Sequence, residues 1–284
     1  MSNVYDKSTP SKSLLTTQNI ILASIGWGVV ALLYFLLFSA KIPDVKGIER
    51  RAEWYIIGTN IFEAVAYLGA GILCLRNWRS PQIVSGRKLW LSIAVGMLSY
   101  FLGGIFFGYT EIVLKQDPFP SIGDIFFVVT YLFVGTGMVL AVTSRKISLE
   151  AWQWGIVGAI GVVGSVLAWW ISLQQKATDD VIATFLNWFY VVSDVLLLMI
   201  ATTLLLAFWG GRVALSWRMI AAAAFSLYIA DMWQKYATSV PNYESGELPE
   251  VFYVLSGVLF AMGAALEYDA SLNRARRNSG RKRT

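Results

Sequence analysis

Three carboxylic acids, Glu63, Asp194 and Asp231, sit inside long apolar runs, each with amide or phenol neighbours at helical spacing. Residues three, four and seven apart share one face of an α-helix. Asn60, Glu63 and Tyr67 fall on one face in this way, and Asn187, Tyr190 and Asp194 repeat the same spacing. Tyr228, Asp231 and Lys235 form a third set, in which Asp231 and Lys235 are an i, i+4 pair able to neutralise itself. An ionisable group at bilayer depth costs about 2.5–3.5 kcal/mol on insertion scales, so such groups mark binding, conduction or interhelical hydrogen bonding. Asp194 has no cation on its own face and is the leading candidate to meet a ligand or a cation. With Asp124, Tyr131, Tyr109 and Glu111 added, most of these groups occupy one half of the expected bundle. A polar, hydrated cavity opening outward is the expectation, and a set of hydrogen bonds that only fixes helix packing is its competitor.

Little other chemistry is available. Histidine is absent, which removes His-ligated haem, His-containing zinc sites, and Ser-His or Cys-His nucleophile pairs. No phosphate-binding loop, nucleophile elbow or dinucleotide fingerprint occurs. The single Cys74 cannot pair within the chain and reads as a small buried apolar residue. The expectation is a protein that is not an enzyme, with no catalytic residue, metal or cofactor assigned.

The elements that position these groups are helices in lipid. Hydrophobic residues make up 56% of the chain and charged residues 14%, a balance suited to hydrocarbon surroundings. Mean hydropathy is +0.57. A helix needs about 17–25 residues to span about 30 Å of hydrocarbon. Eight segments reach that length, at 19–40, 54–75, 89–109, 123–143, 152–173, 183–208, 217–236 and 250–268. They are continuously apolar and do not alternate as barrel strands do, so an all-α integral membrane domain over 19–269 is predicted. Residues 1–18 and 270–284 are the expected tails, and the first span reads as an anchor without a cleavage site. With an N-terminus inside, 16 of the 23 Lys and Arg fall on the inner side, which predicts both termini in the cytoplasm.

A phrase returns at an offset of 63 residues: Phe126-Phe127-Val-Val-Thr130, Phe189-Tyr190-Val-Val-Ser193 and Phe252-Tyr253-Val-Leu-Ser256, with a fainter echo at Trp54-Tyr55. A polar residue, Asp124, Asn187 or Glu250, stands two positions before each full copy. Each copy opens an even-numbered span, so the expected architecture is four helical hairpins in parallel repeat. Gly155, Gly158, Gly161 and Gly164 give the fifth span a smooth face for close packing. No proline falls inside a span, so broken transporter-type helices are not signalled.

Pro118-Phe-Pro-Ser-x-x-Asp124, Tyr190-x-x-x-Asp194 followed by leucines, and Ala230-Asp231 occur in that order. Over about residues 54–268 the chain therefore resembles a family of bacterial multi-pass membrane domains often found ahead of diguanylate cyclase, phosphodiesterase or histidine kinase modules. Val191 departs from the pattern, standing where a proline often follows the tyrosine. The resemblance implies a sensor-type or signal-coupling role at Asp124, Asp194 and Asp231, in a bacterial inner or other energy-transducing membrane. A signal received here would pass to a separate protein, since no output module follows the last span. The basic run Arg274, Arg276, Arg277, Arg281, Lys282 and Arg283 suits anionic lipid or an acidic protein partner. No aromatics interleave it, so nucleic acid is not expected. A carrier or channel using Glu63, Asp194 and Asp231 is one alternative. A subunit of a larger membrane complex, packing lipids, quinones or pigments, is the other.

Overall fold

The computed structural model describes residues 16–43, 49–144, 149–175, 179–208, 212–241 and 243–281, with backbone alone at 212–214 and 279–281. Eight α-helices account for most of them: α1 Thr17–Phe38, α2 Glu53–Arg79, α3 Arg87–Gly108, α4 Ile122–Thr143, α5 Ala151–Ser172, α6 Val181–Ala207, α7 Arg212–Ala237 and α8 Val251–Arg281. Two short antiparallel strands, β1 Lys41–Pro43 and β2 Glu49–Arg51, pair in the α1–α2 connection. All of these helices except α7 are long and apolar enough to cross a membrane. An all-α, multi-pass integral membrane protein follows from their length and composition.

Local chemistry fixes where several helices begin. The Thr16 hydroxyl accepts from the Asn19 amide at the start of α1, and the Asp180 carboxylate accepts from Ile182 and Ala183 at the start of α6. Helix α4 opens with a capping box: Ser121 accepts from the Gly123 amide while Asp124 accepts from the Ser121 amide at 2.7 Å. Such caps satisfy the orphan N–H groups of the first turn. At its end α3 widens into a π turn over Tyr109–Val113.

Packing closes six helices into a circuit. α2 packs on α3, α3 on α4, α4 on α6, α6 on α7, α7 on α8, and α8 back on α2. α1 lies outside this circuit against α8 and α2, and α5 lies outside it against α6 and α7. Within the circuit, one core joins Trp90, Met97, Met138, Trp217, Leu227 and Phe260. The outward surfaces instead carry large apolar side chains, among them Leu37, Val163, Trp169 and Val181. An apolar surface around an apolar core is what lipid allows, since the outer side need not be polar.

The last helix departs from expectation. The sequence places the end of its apolar run near 268 and a tail from 270, but α8 continues to Arg281. Contacts with the end of α2 and with the α2–α3 connection hold this helix as far as Ser271. The Ser271 hydroxyl accepts from the Val84 amide, Glu267 accepts from the Ser85 amide, and the Arg76 guanidinium lies 4.1 Å from the Tyr268 ring centroid. Arg274, Arg276 and Arg277 thus belong to this helix, whereas Lys282 and Arg283 lie outside the described residues. So do Lys7, Lys12, Lys46, Arg145, Lys146 and Lys176 from the charge count.

Candidate functional site

A cavity of about 370 Å³ opens at the end of the bundle where the even-numbered helices begin. Each even helix contributes from its first turns: Thr59, Asn60 and Glu63 from α2; Asp124, Phe127 and Tyr131 from α4; Asn187, Tyr190 and Asp194 from α6; and Tyr253 from α8, with Glu250 just ahead of it. The odd helices contribute from their last turns: Phe35 from α1, Tyr100, Gly104 and Phe107 from α3, and Asp231, Gln234 and Lys235 from α7. Glu111 enters from the π turn, and Gln175 and Ser245 from connections. Eight of the ten expected site residues therefore line this cavity, namely Asn60, Glu63, Asp124, Tyr131, Asn187, Tyr190, Asp194 and Asp231.

The other two point elsewhere. Tyr67 is buried and stacks on Tyr100 with ring centroids 3.7 Å apart, one turn further along α2 than Glu63. Tyr228 donates its hydroxyl to the Gly164 carbonyl at 2.9 Å, so it anchors α5 to α7. Its place one turn before Asp231 gives it the right face in sequence, but in the packed bundle that part of the face meets α5. Lys235 also departs from expectation. Its ammonium lies 3.4 Å from the Asn187 carbonyl, and among the described residues no carboxylate lies within ion-pair distance of it. Asp231 is met instead by two phenols.

Those phenols organise the acids. The Tyr131 hydroxyl lies 2.6 Å from Asp194 Oδ1 and 2.6 Å from Asp231 Oδ2, and the Tyr253 hydroxyl donates to Asp231 Oδ1 at 2.9 Å. A phenol owns a single proton, so it donates to one carboxylate and accepts from the other only when that carboxyl brings a proton of its own. Asp194, Tyr131 and Asp231 thus form one proton-sharing unit across α4, α6 and α7. Asp194 is only 2% exposed, whereas Tyr131 and Asp231 are partly buried at the cavity wall. Tyr190 donates to Asp124 Oδ1 at 2.7 Å while the other oxygen of Asp124 completes the α4 cap. Asp124 is therefore held by its own helix terminus, and Tyr190 ties α6 to that fixed point.

Connections tie the rim together. Arg51, from β2, donates to the Glu244 carbonyl at 2.6 Å and to the Ser39 carbonyl at 3.2 Å, and its amide donates to the Glu244 carboxylate at 2.9 Å. A longer ion pair at 3.8 Å adds Glu247. Glu250 accepts from the Tyr243 hydroxyl and the Gly246 amide, both at 2.7 Å. Burial and the adjacent Glu250 carboxylate push the Tyr243 phenol above its ordinary value. Gly246 has φ +95°, and a Cβ there would stand 2.7 Å from the Tyr55 ring. Glycine is thus required both for the backbone conformation and for the close approach.

Sequence reasoning leaves Glu250, Tyr253, Tyr100 and Gln234 out of the site. The first two carry a signal, since they occupy the polar and second aromatic positions of the 63-residue phrase, as Asn187 and Tyr190 do. Tyr100 and Gln234 come from odd helices and carry none. Among the described residues no group of three or more acidic or cysteine side chains is placed to hold a metal ion. No protein-family model, curated protein or solved structure matches the chain.

Proposed function

We propose that this protein is a non-enzymatic membrane sensor or accessory subunit that takes a small ligand from the outer side into the cavity and couples its occupancy to a separate partner. The observation that carries the reading is the cavity itself, in which seven other expected residues gather with Asp194. Preformed concave sites with a few convergent polar groups are what small ligands use. The cavity is blind. Below it, Tyr67, Met97, Trp90 and Trp217 fill the circuit with fully buried side chains, which favours a receptor over a channel or carrier.

In this reading α7 is an eighth span, screened from lipid by α6 and α8, and both termini are cytoplasmic. The four even helices present the same first turns to the cavity, in keeping with four hairpins derived from one repeated unit. Coupling would run along α8. This helix starts beside Glu250 and Tyr253 at the cavity and ends with the Arg274, Arg276 and Arg277 turns, and its 31 residues reach about 46 Å at 1.5 Å each. That basic end would meet anionic lipid or an acidic partner surface, as the resemblance to signalling membrane domains suggests.

The test is native mass spectrometry of the full chain released from mild detergent, on the unmodified protein and on D194N. A small-molecule adduct that D194N loses, with an unchanged thermal unfolding temperature, supports the reading. A clean apo mass for both, together with no thermal shift from any member of a broad metabolite panel, overturns it.

A further inference from the structure

We infer that the ligand of this cavity is an organic cation, an amine or quaternary ammonium with an apolar body, an inference that rests on the receptor reading above. Charge points first. Among the described residues seven carboxyl groups line the cavity against one ammonium, that of Lys235, so an anion would find little complement there. Glu63, Asp194 and Asp231 form no ion pair among the described residues, and Lys235 reaches Asp194 only beyond ion-pair distance. Buried acids ordinarily come with a counter-charge. Here one proton is shared within the Asp194–Tyr131–Asp231 unit, and the charge left on that unit and on Glu63 can be met by a cationic ligand.

The walls select the kind of cation. Tyr100 stands between Phe127 and Tyr253 with centroid separations of 5.1 Å and 6.3 Å, and Tyr131 lies 5.8 Å from Tyr190. All five rings line the cavity. Ring faces attract organic ammonium groups and offer nothing to a hard metal ion, which needs six or more oxygens at short range. The carboxyls are spread around the walls and do not gather as a metal cage among the described residues. At about 30 Å³ per water, the cavity of about 370 Å³ has room for about a dozen waters or an organic molecule of comparable bulk.

The test uses the full chain in mild detergent and matched probes: choline against its uncharged isostere 3,3-dimethylbutan-1-ol, and 2-phenylethylammonium against 2-phenylethanol and phenylacetate. Calorimetry should give the cations an affinity about tenfold or more above their partners. D194N should cut that preference to about threefold or less at an unchanged unfolding temperature, and E63Q serves as the second variant should D194N not fold. Equal or tighter binding of the neutral or anionic members overturns the cation inference and leaves the receptor standing. Failure of every probe to bind at millimolar concentration, while an adduct still co-purifies, also overturns the cation inference alone. No probe binding and no adduct overturns both.

Discussion

At the scale of residues, the cavity is organised by phenols that each serve a carboxyl from another helix. Tyr131 carries the heaviest duty because its single hydroxyl meets Asp194 and Asp231 together at 2.6 Å. Removing that hydroxyl leaves the buried Asp194 without its phenol donor, a loss in the range of about 1–3 kcal/mol for buried unsatisfied groups, while Asp231 keeps Tyr253. Y131F should therefore lower the thermal unfolding temperature, and the double change Y131F/D194L should cost less than the sum of its parts. Strict additivity in that cycle would mean the two side chains do not interact. Gly246 offers a sharper case. An alanine must hold φ near +95° and place its Cβ against the Tyr55 ring, so G246A should cost about 1 kcal/mol or more and weaken the Tyr55 hydroxyl's 2.7 Å bond to the Gly246 carbonyl. Denaturant unfolding of G246A beside Y55F separates backbone strain from that bond.

At the scale of elements, α5 tests how far a sequence pattern can be trusted. Its four glycines read in sequence as one smooth packing face. A Cβ at Gly161 would stand 2.9 Å from Met199, and one at Gly164 would stand 2.9 Å from Leu198, whereas Gly155 and Gly158 have no atom within 4 Å. Only half of the face is used, because α5 meets α6 over the later turns. G164L should accordingly displace α5 and lower stability by about 1–3 kcal/mol, the usual range for overpacking, while G155L and G158L should change little. Crosslinking yield between cysteines placed on α5 and α6 would report the displacement. Helix positions are legible throughout, since long apolar runs leave few alternatives, and starts fall within about five residues of expectation. The site is legible on even helices, where a repeated phrase marks equivalent turns. On odd helices only Asp231 stands out: Tyr100 looks like any buried aromatic, and the Asp231–Lys235 spacing suggests a pair that the Asn187 carbonyl and two phenols pre-empt.

At the scale of the molecule, two different ends follow from one bundle. The cavity end gathers acids, phenols and a rim held by Arg51. The opposite end is closed by packed Trp90 and Trp217 and carries the basic turns of α8. Cysteine labelling can decide which end faces out. Cys74 is fully buried, so the native thiol should stay silent to a membrane-impermeant maleimide in the folded protein. Glu53 and Lys115 form an exposed ion pair 2.7 Å long beside the cavity mouth, with side chains 59% and 63% accessible. Cysteines replacing either one should label in intact cells. A cysteine replacing Arg277, exposed near the other end of α8, should label only after permeabilisation. The charge asymmetry of the loops predicts this pattern, because Lys and Arg are retained on the cytoplasmic side. The inverse pattern would turn the cavity toward the cytoplasm and change the source of its ligand from the medium to the cell interior. Labelling of all three sites in intact cells would mean that the bundle lacks a single orientation.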